Sequence, residues 1–320
     1  RTGTQFLFPA MGRPVLFLTG GTGLVGRNLR EHPDASVYEI IAPTSAELDL
    51  RDPVAVAARL AAVGPDLVVH AAGRVGGIQA NIAAPLAFLD DNLMMGRNVV
   101  MGAYNAGVRR LINLGSTCIY PPTAPNPLRE DAILTGPPEQ TNEGYALAKM
   151  AVLKLCSYIS AADPSRHYKT LIPCNLYGRH DHFHAERSHL IAAIFDKIHR
   201  AKNAGASQIE VWGDGTARRE FMYAGDMASA ILTAASRIEE APDLMNVGVG
   251  HDLNVADYYR AVGEALGWQG ELRFDLDRPV GMARKLADIS RLRAFGWNAQ
   301  VSLRDGLERT ARYYLTEVAA

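Results

Sequence analysis

No apolar run in this chain approaches the roughly 18 residues that a membrane-spanning helix needs, and the first apolar stretch, residues 15–18, runs straight into glycines. The expectation is a soluble protein. Charge of one sign is lacking as well: 33 Lys and Arg stand against 34 Asp and Glu, a formal net charge of -1. Such a balance offers no field to draw nucleic acid or an anionic membrane. Cysteine is scarce. Cys118, Cys156 and Cys174 are odd in number, far apart and without a CxxC, which argues against a disulfide framework and against a zinc cage; a reducing cytoplasm fits. Residues 1–12 lack an initiator Met and the charged-then-apolar layout of a signal peptide, and are read as a remnant ahead of a natural start near Met11. Internal repeats and low-complexity tracts are also missing. What remains is ordinary globular composition, 48% hydrophobic and 21% charged with 29 Gly and 17 Pro, over 320 residues, enough for one large or two small cores.

Strand-length apolar runs at 15–19, 36–41, 66–70, 110–114 and 168–172 alternate with helical patterns. Runs of this kind separated by helices are what a parallel sheet covered on both faces requires, so the expected class is α/β with a doubly wound parallel sheet. After Pro173 the rhythm changes to loops rich in His, Gly and Arg, with helices expected at 191–204, 224–237, 255–266 and 303–315. The organisation read from this is a dinucleotide-binding domain at 13–172 and a smaller C-terminal α/β substrate-binding lobe at 173–320. Some late segments of that lobe would return to the first domain, since no linker tract divides the two.

Thr-Gly-Gly-Thr-Gly-Leu-Val-Gly at 19–26 follows the first strand and opens a helix, with Gly20, Gly23 and Gly26 in GxxGxxG spacing. Glycine lets backbone N–H groups approach a pyrophosphate, and the helix N-terminus, with the N–H groups of Leu24 and Val25, adds partial positive charge. In this strand-turn-helix setting the pattern is the Rossmann dinucleotide fingerprint. Asp49 and Leu50 could address an adenine edge, and Ala71 and Ala72 end the third run with small residues where a cofactor would cross. At the ribose position Ala42-Pro-Thr-Ser45 offers only hydroxyls, leaving the choice between NAD(H) and NADP(H) open.

Tyr145 and Lys149 lie at i and i+4, one face of one helix. A phenol with a pKa near 10 needs a neighbouring cation to work near neutrality, and the pair alone is common by chance. Ser116, just past the fourth run, brings a hydroxyl to the carboxyl edge where open α/β sheets bind ligands. Ser116 would polarise a carbonyl, Tyr145 exchange its proton, and Lys149 tune Tyr145 while holding the nicotinamide ribose.

These segments, with His-Ala-Ala-Gly at 70–73 and Pro-Cys-Asn-Leu-Tyr-Gly at 173–178, resemble the extended short-chain dehydrogenase/reductases that act on nucleotide sugars. Val-Gly-Gly-Ile-Gln-Ala-Asn at 75–81, Ser-Thr-Cys-Ile-Tyr-Pro at 116–121, Thr-Asn-Glu-Gly-Tyr-Ala at 141–146, Ser188-His189 and Val-Trp-Gly-Asp-Gly-Thr-Ala-Arg-Arg-Glu-Phe at 211–221 are similar to the GDP-L-fucose synthase family. That resemblance, which runs from about residue 15 to 315, implies 3,5-epimerisation and 4-reduction of GDP-4-keto-6-deoxymannose with NADP(H). It implies Cys118 as base and His189 as acid. It also implies cofactor contacts from Asn175 and Leu176, and a nucleotide-sugar site using Asn175, Lys197, Trp212, Arg219 and Lys285, with Lys285 at the nucleotide end. No metal is implied, although His180, His182, His184 and His189 crowd together. A homodimer packed through the helices around 92–105 and 145–159 is implied too. Departures from the family pattern stand at Arg179, His182, Ala192 and Val280, and Thr22 and Ser45 replace the usual cofactor arginines. They leave open a related GDP-4-keto sugar of colitose or heptose type. A reading from another class, a non-catalytic dinucleotide-binding sensor, predicts cofactor binding without turnover.

Overall fold

The computed structural model describes residues 12–184, 188–278 and 281–319, so the remnant expected at 1–12 lies almost wholly outside the described residues. Strands β1 (Val15–Thr19), β2 (Glu39–Ile41), β3 (Leu67–His70), β4 (Arg110–Leu114), β5 (His167–Pro173) and β10 (Leu244–Val247) form one sheet in the order β2-β1-β3-β4-β5-β10. Every neighbouring pair in it is parallel.

Side chains alternate across these strands and build two cores. Leu16, Leu18, Val69, Ile112 and Leu171 point one way, joined by residues of α7 (Ala224–Ser236) and α9 (Ser290–Phe295) and by Leu29 of α1 (Leu24–Glu31). Phe17, Val68, Leu111 and Tyr168 point the other way, against α2 (Pro53–Val63), α4 (Pro85–Asn105) and α5 (Glu143–Ala162). Burial on both faces explains why the runs are continuously apolar. Helices α4 and α5 approach closely at Gly96, where a Cβ would lie 2.4 Å from Val152 Cγ2. Short α3 (Ile78–Ala83) precedes α4.

The second part of the chain has its own core. Phe195 and Ile198 of α6 (Leu190–Asn203), Tyr259 and Val262 of α8 (Val255–Leu266) and Leu307 of α10 (Leu303–Tyr313) meet there. Around it sit β6 (Asn175–Tyr177) paired with β9 (Phe221–Tyr223), β7 (Gln208–Trp212) paired with β12 (Glu271–Asp275), and β8 (Arg218–Arg219) between β11 (Leu253–Asn254) and β13 (Arg284–Lys285).

Two differences from the sequence reading have local causes. The strand expected at 36–41 begins only at Glu39, because Pro33–Val37 winds into a 3₁₀ turn with Pro33 at its start and Asp34 N–H donating to His32 Nδ1 at 3.2 Å. The strands β6 to β9 and β11 to β13 are two to five residues long, too short for a periodic pattern to mark them.

Thr19 and His70 are register partners in β1 and β3, with Thr19 Oγ1 2.8 Å from His70 Nδ1. Burial, and then the charge of Lys149, pull the His70 pKa from 6.5 down to about 3. The unfolded chain therefore takes up this proton first: the contribution to stability is whole above pH 6.5 and is lost as pH falls toward about 3. His70→Gln should flatten the pH dependence of unfolding free energy by about 1 kcal/mol per pH unit in that interval. Urea titrations at several pH values would read this, and parallel slopes for the two proteins would refute it.

Candidate active site

The glycine loop is a cradle that side chains would fill. Gly20 has φ +74°, and a Cβ on it would lie 2.7 Å from Ala72 N and 2.8 Å from Ala71 O; a Cβ on Gly26 would lie 2.1 Å from Gly20 O. Strand β1, the end of β3 and the start of α1 thus touch backbone to backbone, as close passage of a pyrophosphate demands. Helix α1 is capped by Gly23, which has no side chain to offer its first-turn N–H groups, and no acidic residue stands in that turn. Both features suit an anion.

Asp49 lies at the surface with its carboxylate on Arg51, Nη2 to Oδ2 at 2.8 Å; these bonds hold it well below the usual carboxylate range. Leu50 is half-buried and its carbonyl accepts from Asn98 Nδ2 at 3.0 Å. Asn175 Nδ2 donates to Glu220 O at 2.9 Å, and Leu176 packs on the first core.

The proton-handling residues meet at the carboxyl edge of β4. Ser116 caps the short turn Thr117–Ile119, its Oγ accepting from Cys118 N at 3.2 Å. Burial pushes the Tyr145 phenol well above its ordinary pKa, the charge of Cys118 adds to this, and a hydrogen bond with Ser116 opposes it. Lys149 is 7% exposed and donates from Nζ to Leu114 O at 2.9 Å, with its ammonium 5.7 Å from the Tyr145 ring centre. Burial brings the Lys149 pKa down to about 8. Lys149 is not among the groups that shift the Tyr145 phenol, so the downward tuning expected of it does not accompany these shifts. Phe88 closes one side, edge-on to the Tyr145 ring at 6.4 Å.

On the opposite side stands the second part of the chain. His189 is the N-cap of α6; it reaches solvent from a crowded cleft, and burial, then His182, lower its pKa. Ser188 fixes this loop, donating from Oγ to His182 O and accepting from His184 N at 2.8 Å. The preceding residues touch the first domain, since a Cβ on Gly77 would lie 3.4 Å from Ser188 O. Arg219 is half-buried; desolvation lowers its pKa, and the charge of Cys118 opposes this. Its Nη2 would lie 3.6 Å from a Cβ on Gly281, close to Ile78. Lys285, expected at the nucleotide end, has its Nζ 3.8 Å from Cys118 Sγ. Lys197 donates to Glu210 O and lies 5.9 Å from the Tyr259 ring centre. Trp212 is 39% exposed, with the Arg278 guanidinium 5.1 Å from its ring centre, so it is a surface platform rather than a core residue.

Of the histidine run, His180 turns to Glu31, 2.8 Å from Nε2 to Oε1, and to the Tyr313 hydroxyl. Among the described residues no three His, Cys, Asp or Glu side chains gather as a metal would need. Arg179 also pairs with Glu31, at 2.8 Å, and Ala192 is buried. Val280 lies outside the described residues.

Several residues without a role in the sequence reading organise the site. Asn92 accepts from Arg74 N at 2.9 Å and donates to Arg74 O at 3.0 Å, clamping the loop after β3. Glu220 is 1% exposed and accepts from Val249 N at 2.7 Å, Gly250 N at 2.8 Å and Ala287 N at 2.9 Å. Its place in the Arg-Arg-Glu-Phe run was visible, but a buried carboxylate on backbone donors has no sequence signature. Arg30 donates to Gly21 O at 3.3 Å, putting a cation beside the glycine loop where Thr22 and Ser45 offer hydroxyls.

A parallel sheet with a glycine-cradled anion site and a Ser-Tyr-Lys set at its carboxyl edge defines a dinucleotide-dependent short-chain dehydrogenase/reductase. The NAD dependent epimerase/dehydratase family matches residues 16–248, and the chain belongs to it. Within that family it is 54% identical to the GDP-L-fucose synthase of Azorhizobium caulinodans, over 94% of this chain and 96% of that protein. It is 46% identical to the GDP-L-colitose synthase of Yersinia pseudotuberculosis, over 94% and 98%. Among solved structures, MlghC, a GDP-mannoheptose C4 reductase from Campylobacter jejuni with NADP bound, superposes with TM-score 0.85 at 28% identity, covering 95% of this chain and 99% of that one.

Gly26→Ala should weaken dinucleotide binding about tenfold or more, because the added Cβ would displace Gly20 O and with it the cradle. Quenching of protein fluorescence on nicotinamide dinucleotide titration measures this. Unchanged affinity in a folded variant would remove the loop from the cofactor site.

Proposed function

We propose that this protein converts GDP-4-keto-6-deoxymannose to GDP-L-fucose, inverting C3 and C5 and then reducing C4 with NADPH. The observation that carries the reading is the joint presence, at one strand edge, of Ser116, Cys118, Tyr145 and Lys149 in a chain 54% identical to a GDP-L-fucose synthase along nearly its whole length. The glycine cradle, with Leu24, Val25 and Gly26 opening α1, receives the pyrophosphate, and Ala71 and Ala72 let the dinucleotide pass. Arg30 supplies the cation for a 2′-phosphate. The NADP-bound heptose reductase supports that choice of cofactor.

In the epimerisation, the Cys118 thiolate takes the proton from the carbon next to the ketone, and the electron pair moves onto the C4 oxygen. Ser116 and Tyr145 hold that oxygen by hydrogen bonds, which strengthen as charge develops. His189 returns a proton to the opposite face; its lowered pKa makes the imidazolium a stronger acid. The nicotinamide supplies the hydride for C4. Tyr145 gives its proton to the forming alkoxide, a stronger base than a phenolate, which can take the proton although burial raises the Tyr145 pKa. Lys149, held by Leu114 O, would hold the nicotinamide ribose. Arg219 and Lys197 bind the nucleotide-sugar phosphates, while Asn175 and Trp212 line its pocket.

Purified protein given this substrate should oxidise NADPH and form GDP-L-fucose, with deuterium from heavy water entering at C3 and C5. Tyr145→Phe should lower kcat by roughly 10²-fold or more. Cofactor and GDP binding without oxidation would defeat the reading. The 46% identity to a GDP-L-colitose synthase favours one alternative, a 4-keto sugar of that class, and the same product analysis with that substrate decides between them.

The protein works as a homodimer in this proposal. Leu147 and Tyr158, about three turns apart on one face of α5, are 41% and 66% exposed, and Leu86 and Tyr104 on α4 are 77% and 40% exposed. Replacing Leu147 and Tyr158 together by Glu should convert a dimer to monomers in light scattering. A wild-type monomer at micromolar concentration would rule the dimer out.

A further inference from the structure

Four basic side chains come from one pair of very short strands. Arg218 and Arg219 of β8 lie beside Arg284 and Lys285 of β13 in parallel register, Arg218 against Arg284 and Arg219 against Lys285. Side chains alternate in direction along a strand, so the four divide into two faces. Arg218 and Arg284 both turn to Asp252, with Nε–Oδ1 at 3.0 Å and Nε–Oδ2 at 2.6 Å. Burial opposes the charge of Asp252, but the two guanidiniums outweigh it and lower its pKa. Those two cations neutralise a carboxylate. The other two turn toward β4: Lys285 Nζ lies 3.8 Å from Cys118 Sγ, and Arg219 senses the same sulfur.

The placement of Lys285 is enforced by the backbone around it. Leu286 N donates to Asn126 Oδ1 at 2.8 Å, Leu128 N donates to Leu286 O at 2.7 Å, and Ala287 N donates to Glu220 Oε2 at 2.9 Å. The first two bonds tie β13 to the segment that continues from Cys118. Facing Cys118 are Lys285 from β13, Arg219 from β8, and Tyr145 and Ser116 from the first domain.

We propose that Lys285 is a positioning residue for Cys118: its ammonium holds the sulfur as a thiolate aimed into the pocket, ready to accept a proton. This rests on the reading of Cys118 as the epimerisation base. The thiol first releases its proton to solvent. The thiolate then takes the carbon-bound proton and becomes a thiol again, while the electron pair of the broken C–H bond moves to the carbonyl oxygen. Lys285 stays an ammonium throughout and acts only through its charge and its hydrogen bond. A thiolate is the reactive form of cysteine, and a neighbouring lysine favours it.

The test is per-cysteine alkylation of the purified protein by iodoacetamide at neutral pH, followed by mass spectrometry. Buried Cys156 and Cys174 serve as internal reporters of an intact fold. Lys285→Met should slow alkylation of Cys118 about tenfold, Lys285→Gln should do the same, and Lys285→Arg should stay within about threefold of wild type. With the keto-sugar substrate, Lys285→Met should slow deuterium entry at C3 and C5 while leaving GDP affinity within about twofold. Wild-type alkylation rates in Lys285→Met and Lys285→Gln would overturn the proposal, as would weakened GDP binding with alkylation intact, which would return Lys285 to the nucleotide. The alkylation reading needs no sugar substrate, so it stands or falls apart from the identity of the reaction.

Discussion

The buried carboxylate of Glu220 is the constraint on which the arrangement of this molecule turns. It accepts three backbone N–H groups, two from the loop after β10 and one from the segment after β13. Because β10 is a strand of the central sheet, Glu220 fastens the late, short strands to the early, long ones. Gly248 stands where a Cβ would lie 2.3 Å from Glu220 Oε1, so the loop can close over the carboxylate only without a side chain there. A buried carboxylate is costly unless its oxygens are satisfied, and burial does raise the pKa of Glu220 against the pull of those donors. A second polar lock lies nearby. Asn246 donates to Leu128 O at 2.9 Å and Asp288 O at 3.0 Å, and accepts from Tyr120 Oη at 2.6 Å. The two together align the turn carrying Ser116 and Cys118 with the strand pair carrying Arg219 and Lys285.

The pocket so assembled drives its ionisable groups toward their neutral forms. Burial raises the Tyr145 phenol, lowers the Lys149 ammonium to about 8, lowers His189, and lifts Asp181 to about 7. The common first cause is desolvation of each side chain. This environment suits proton traffic at an enolisable ketone, where donor and acceptor must exchange roles within one site. It also gives weight to the cations left facing the cleft, because charge interactions strengthen as water is excluded.

The sheet itself was legible. Near-continuous apolar runs gave β1, β3, β4 and β5 close to their bounds, since strands buried on both faces have almost no freedom of composition. The glycine spacing announced the cradle because backbone contact admits no other residue at Gly20 and Gly26. Less could be read of the second part. Its strands are two to five residues long, and nothing in Arg218, Arg219, Arg284 or Lys285 tells which cations face Asp252 and which face Cys118. That division follows from the register of β8 against β13, a relation across about sixty residues of chain.

The sequence by itself determined the class of fold, the dinucleotide loop and the presence of Ser116, Cys118, Tyr145, Lys149 and His189, because each rests on local backbone geometry or on residue chemistry that short-range spacing preserves. Tertiary structure alone decided that Trp212 is a surface platform, that Lys149 is held by Leu114 O while burial keeps Tyr145 protonated, and that Lys285 reaches Cys118. Those outcomes depend on burial and on contacts between distant segments. Neither quantity exists until the chain has closed on itself.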